Sequence, residues 1–348
     1  MAQIRRMFPG GNTARGFYSF HHDIIVDNRK MLYILKGMPG GGKSSLMKVV
    51  GEKALEEGYS IEYHHCPSDP ESVDGVHIPE LEIAIVDGTA PHIIDPVYPG
   101  LKDKLIDLGA FIDGEKLVKN QKAIINAKAN NKIAYSRAYG YFKSAEIIGD
   151  LIIDNNKRGM DYSKLNREIL KLIDEIFSKD YREMGKSKTR HMFSSAYTPE
   201  GYIDLTHTLL EDPNVIYYIN GEIGTGKSTI MEKLVERAYL ENYSMEIYHN
   251  PMIPEKIETI IIGQLNICIT SNKTALEFPH RAIDLNNYFD STVKKDKDYA
   301  TYNSLVEEGI MNLHLAKENH KILEESYKTA IDYNGINNII EKIIGEIF

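Results

Sequence analysis

Residues 31–57 read MLYILKGMPGGGKSSLMKVVGEKALEE, and the order of parts in this stretch decides the fold. MLYILK at 31–36 is a short apolar run ending at glycine, which reads as a buried strand, and 44–57 then reads as a helix. Between them GMPGGGKS at 37–44 fits the spacing G-x-x-x-x-G-K-[S/T], in the strand-to-helix context that gives that spacing meaning. Glycines there let consecutive backbone N–H groups turn toward an anion, while the helix offers its positive end to the same place. Gly37, Met38, Pro39, Gly40, Gly41, Gly42, Lys43, Ser44 and Ser45 are therefore the expected phosphate-binding residues. Lys43 is expected to neutralise β- and γ-phosphate charge, and the Ser44 hydroxyl to ligate Mg2+.

The same arrangement is written a second time. Placing 37–67 over 221–251 (GEIGTGKSTIMEKLVERAYLENYSMEIYHNP) gives 14 identities in 31 ungapped positions, so the chain reads as a tandem duplication. The second loop supplies Gly221, Glu222, Ile223, Gly224, Thr225, Gly226, Lys227, Ser228 and Thr229, with Ser228 as its expected metal ligand. Upstream, Met7-Phe8 and Gly16-Phe17 recur as Met192-Phe193 and Gly201-Tyr202. Downstream, Asp161-Tyr162 and Glu175-Ile176-Phe177 recur as Asp332-Tyr333 and Glu346-Ile347-Phe348. The expected organisation is one domain over 1–177, a charged linker over 178–189 and a second domain over 190–348.

Further strand candidates at 60–64 and 81–86 recur at 244–248 and 265–270. Their alternation with the helix implies parallel pairing in an α/β sheet. From 115 to 153 a proline-free stretch carries apolar residues at helical spacing, with a counterpart over 306–330. Each domain is thus expected to be a parallel-sheet core with flanking helices and a helical hairpin inserted after the third strand.

On these motifs the chain resembles the P-loop NTPase superfamily. The tandem arrangement is similar to an uncharacterised family of bacterial ATPase-like proteins with two P-loop domains. The resemblance implies nucleotide binding with Mg2+ as cofactor. It also directs attention to the strand at 82–87, EIAIVD, which ends in Asp87 as a Walker B strand does; Asp87 is expected to hold the metal or its water. The second copy, NICITS at 266–271, has Ser271 there, so its carboxylate is missing and the site is expected to bind nucleotide with little turnover. Gly88 follows Asp87 where many such ATPases carry a water-polarising Glu, so slow hydrolysis is expected at the first site. The stretch 272–275 (NKTA) lacks the aspartate of a guanine-specific element, which leaves ATP as the expected ligand.

Composition limits the remaining classes. The chain carries 50 acidic and 41 basic residues for a net charge of −9, which argues against bulk nucleic-acid or anionic-membrane binding. Two cysteines, Cys66 and Cys268, form no CxxC spacing, and no apolar run suggests a leader or a membrane span. A cytoplasmic protein is expected.

Weaker features are weighed against plain structural roles. His92, on the loop beyond Asp87, is a candidate catalytic residue that orients water, with Asp95 fixing its tautomer. His280 and Asp284 repeat the pair in the half that lacks Asp87, which also fits a purely structural loop. His64, His65, Cys66 and Asp69 resemble a metal cluster, but adjacent strand residues point to opposite faces. Arg15, Arg137 and Arg281 are candidate fingers on a transferred phosphate. The expected activity is slow Mg-dependent ATP hydrolysis by Lys43, Ser44 and Asp87. A kinase moving the γ-phosphate to a nucleotide or small molecule, and an ATP-driven conformational switch with a protein or small-molecule partner, are the alternatives.

Overall fold

The computed structural model describes residues 2–25, 28–178 and 187–348; residues 179–186 of the expected linker lie outside them. The first repeat supplies β1 (Ile4–Met7), β2 (Gly10–Thr13), β3 (Gly16–Ser19), β4 (Met31–Lys36), α1 (Lys43–Glu56), β5 (Ile61–Cys66), β6 (Asp69–Ile78), β7 (Ile83–Asp87), β8 (Asp103–Asp107), α2 (Gly114–Leu117), α3 (Gln121–Asn156) and α4 (Tyr162–Ile176). The second supplies β9 (Thr189–Met192), β10 (Ser195–Thr198), β11 (Gly201–Asp204), β12 (Val215–Asn220), α5 (Lys227–Leu240), β13 (Met245–His249), β14 (Ile257–Ile262), β15 (Ile267–Thr270), β16 (Arg281–Asp284), α6 (Asp296–Lys328) and α7 (Tyr333–Ile347).

Each repeat builds a six-stranded sheet, in the orders β1-β5-β6-β7-β4-β8 and β16-β12-β15-β14-β13-β9. The expected all-parallel core is corrected to a mixed one, because β6 and β14 run antiparallel to both neighbours. DPESVDGVHI at 69–78 is not among the strands expected from the sequence. It is a strand because β5 and β7 flank it and supply backbone partners on both edges, with bulges against β5 near His64, His65 and Cys66.

Corresponding residues of the two repeats meet at the centre. Phe8 N–H donates to the Phe193 carbonyl at 2.8 Å and Phe193 N–H to the Phe8 carbonyl at 2.9 Å, so a local twofold axis passes between them, as at an isologous interface. Around it Glu62 accepts from Arg5 (3.0 Å) and from both terminal nitrogens of Arg190 (2.9 and 2.7 Å), and Arg5 also reaches Glu246. Burial alone would raise the Glu62 pKa, but Arg190, His64, His77 and Arg5 hold it well below the usual carboxylate range.

The helices depart from the expected organisation. The stretch from 121 to 156 is one unbroken helix of 36 residues, roughly 54 Å long at 1.5 Å per residue. It does not turn back to form a hairpin within its own repeat. Instead α3 packs antiparallel against α6 of the other repeat, with Asn131 Nδ2 on the Ala316 carbonyl (2.8 Å) and Asn155 Nδ2 beside Val293. Ala127, Ala134, Ala138 and Ala145 give α3 a low-profile face, and Gly309 of α6 lies against the Phe142 ring, where a methyl group would collide.

The last helices are exchanged as well. Leu165, Ile169, Leu172 and Ile176 of α4 lie in one core with Tyr217, Ile219, Ile230 and Leu234 of the second repeat. Ile343 of α7 lies in another with Tyr33, Leu35, Leu46 and Val50 of the first. The anchors repeat too: Tyr33 Oη donates to Glu346 at 3.1 Å, and Tyr217 Oη to Glu175 at 3.0 Å. The repeats are therefore sequence units that complete each other's cores, and the expected hairpin within each domain is replaced by a pairing across the two.

Candidate nucleotide sites at the two glycine-rich loops

Both loops leave the C-terminal end of a strand and enter a helix with the same backbone. Gly40 (φ +71°) and Gly42 (φ +77°) are matched by Gly224 (φ +84°) and Gly226 (φ +103°), a left-handed conformation that glycine adopts without cost. Lys43 Nζ donates to the Gly37 and Met38 carbonyls at 3.3 and 3.0 Å and lies 3.7 Å from Asp87 Oδ2. Lys227 Nζ is placed the same way on the Gly221 and Glu222 carbonyls. With Ser271 in place of the acid, burial dominates and pushes Lys227 down to about 8, against the opposing pull of Glu222.

Asp87 stands opposite Leu35 in the parallel register of β7 with the loop strand β4. Its Oδ1 accepts from the Thr89 N–H (2.8 Å) and hydroxyl (2.6 Å), so the Lys43 side is left to Oδ2. Ser44 Oγ accepts from the Val73 N–H of β6 at 3.0 Å. Hydroxyl and carboxylate oxygens are hard ligands of the kind Mg2+ takes. Ser271 is turned away, its hydroxyl donating to the Glu258 carbonyl at 3.3 Å.

The antiparallel strand missed in the sequence carries a second acid. Asp74 on β6 occupies the place of Glu258 on β14, since Gly75 pairs with Val86 as Thr259 pairs with Thr270. Burial pushes Asp74 up to about 6 and, with a contribution from Asp204, Glu258 up to about 7. An acid 184 positions apart in both copies was the available signal. It went unread because the segment lacks strand periodicity.

His21, also unforeseen, completes the cluster around Asp74. Its Nε2 lies 3.4 Å from Asp74 Oδ2, and its ring stacks on that of His92 at 3.9 Å. Burial holds His21 down to about 3 and lowers His92 as well. The expected partner of His92 is corrected: its Nδ1 is held by the Asp87 carbonyl at 3.0 Å, whereas the exposed Asp95 pairs with Lys36. His280 is held by the Phe278 carbonyl and Asp284 by Asn220, so the second pair does not repeat the arrangement.

Each loop is covered by helices of the opposite repeat. Tyr333 Oη donates to the Gly40 carbonyl at 3.3 Å, and the Glu324 backbone lies beside Gly40. Asn156 Nδ2 donates to the Ile223 carbonyl at 2.8 Å, and the Ile153 backbone lies beside Gly224. Lys294 of α6's approach holds the Glu222 carboxylate at 2.9 Å.

The candidate arginine fingers are engaged elsewhere: Arg15 with Glu146 (2.6 Å) and Glu255 (2.8 Å), Arg137 with Asn312, and Arg281 with Glu175. His64 faces Glu62 while His65 Nδ1 is held by the Pro70 carbonyl, so 64–69 does not converge on a metal. Among the described residues no helix is long and apolar enough to cross a membrane. A scan against protein families and searches of curated proteins and of solved structures found no match.

Proposed function

We propose that the chain binds Mg-ATP at both glycine-rich loops and hydrolyses it slowly at the first. The observation that carries this reading is the shared loop geometry: left-handed glycines at the same two positions, with a lysine folded over the loop's own carbonyls, where an incoming phosphate would take over its charge. Mg2+, held by Ser44 and Asp87, would offset charge on the phosphates there. Lys43 neutralises the phosphates, Asp87 Oδ2 faces that lysine, and the missing acid at Ser271 leaves the second loop a binding site.

The experiment is to measure ATP binding and phosphate release by the full chain and by Lys43→Ala and Lys227→Ala. Loss of turnover in the first, with turnover retained in the second, supports the assignment. Unchanged release from Lys43→Ala refutes it, and consumption of ATP only when an acceptor is added would point to the kinase.

The switch reading gains support from one feature. The α3 and α6–α7 helices of one repeat touch the loop of the other, so a nucleotide that moves either loop acts on both halves at once. Nucleotide-dependent changes in hydrogen exchange along α3 and α6, without turnover, would favour it.

A further inference from the structure

We propose that His21, Asp74 and His92 form a binding site for one divalent transition-metal ion, distinct from the Mg2+ site at Ser44 and Asp87. One ligand atom from each of the three side chains lies within 4.8 Å of the others. His21 Nε2 and His92 Nε2 both face the same oxygen, Asp74 Oδ2, at 3.4 and 3.9 Å. All three side chains are at most 8% exposed.

The hydrogen bonding decides what lies between them. A backbone carbonyl can only accept, so the Nδ1 of His92 held by the Asp87 carbonyl carries the proton. Its Nε2 in neutral form then presents a lone pair to a carboxylate oxygen, an opposition that a cation relieves. His21 is held from outside by Ser19 Oγ at 2.9 Å from Nδ1, a hydroxyl that can donate or accept there. Such outer partners fix ring orientation at metal sites.

The second repeat is an internal control. Glu258, at the position of Asp74, is met by protein donors, the Ser195 hydroxyl at 3.0 Å with Ser194 and Asn272 at 3.5 Å. Thr206 stands where the first repeat has His21. One copy of the buried acid is satisfied by hydroxyls and an amide, the other is faced by imidazoles. Two imidazoles and a carboxylate suit Zn2+, Mn2+ or Fe2+ better than Mg2+ or Ca2+. Because the rings stack within 9°, an ion in both ring planes requires them to tilt apart, which two side-chain torsions allow. The ion would tie β6 to the loop after Asp87 and to the turn after β3.

The test uses full-length protein stripped with chelator, then titrated with Zn2+ and Mn2+ without nucleotide. Calorimetry and elemental analysis should give one bound equivalent per chain, and Co2+ should give a visible ligand-field spectrum. His21→Gln and Asp74→Asn should each weaken binding at least about 100-fold, with Glu258→Gln binding as wild type. If a variant does not fold, the wild-type stoichiometry and Co2+ spectrum decide alone. No bound equivalent, or unaltered affinity in folded His21→Gln and Asp74→Asn, overturns the proposal. Lys43→Ala removes nucleotide binding at the first loop and should leave the metal in place, so failure of one reading does not resemble failure of the other.

Discussion

Ile343 is 1% exposed and belongs by sequence to the second repeat, yet it packs among Tyr33, Leu35, Leu46, Met47 and Val50 of the first. Ile343→Ala removes buried methyl groups from that core and leaves a cavity, at a cost of about 2–5 kcal/mol. Local opening of the first sheet then becomes easier by about 30- to 4000-fold at 1.4 kcal/mol per tenfold. Hydrogen exchange read by mass spectrometry separates the alternatives. With exchanged helices, exchange in Ile343→Ala rises in α7, α1 and β4 and stays near wild type in α5 and β12. The mirror variant Leu172→Ala, at a residue of α4 buried against the second sheet, should loosen α5 and β12 and spare α1. Faster exchange confined to the second repeat's own sheet in Ile343→Ala would refute the exchange.

Other perturbations follow from the charges. Lys227 is pushed down to about 8, so it is cationic below that pH and neutral above; nucleotide affinity in a Lys43→Ala background should fall as pH rises past 8, by up to about tenfold per unit, and a flat profile would contradict it. Glu258 is raised to about 7, above its unfolded value near 4.5, so its contribution to stability is present below about pH 4.5 and lost as pH rises to about 7. Glu258→Gln should therefore match or exceed wild type in urea unfolding at pH 8, by about 1–3 kcal/mol, with the gain vanishing toward pH 5. Glu62→Gln removes the acid between Arg5 and Arg190 and leaves two enclosed guanidinium groups short of a partner; it should cost about 3–5 kcal/mol in unfolding measurements.

Much of the site was legible because loop chemistry is local. Strand, glycines, lysine and serine are contiguous over 31–57, and the backbone conformation that favours phosphate depends on glycine at two fixed positions. Asp87 was legible because β7 is a continuous apolar run ending in an acid. His21 and Asp74 were not. One sits on a short helical turn and the other on a strand whose sequence, with Pro70, Asp74 and Gly75, carries turn residues; only pairing with two neighbours makes it a strand. The charge exchange between the repeats was equally hidden: Arg15 with Glu146 in one becomes Glu200 with Lys317 in the other, and only the helix packing reveals the pairs.

The sequence by itself determined the duplication, the two glycine-rich loops, the helical character of α3 and α6 and the serine at 271 where the first repeat has Asp87. Tertiary structure decided where the helices go. Periodicity states that one face of α4 or α7 must be buried, and the burial of apolar surface has no direction that names a partner. Two sheets of duplicated sequence offer nearly equivalent faces. The choice fell to the reach of α3 and α6 across the molecule: a helix of 36 residues ends at the opposite loop, and the next helix packs where the first one delivers it.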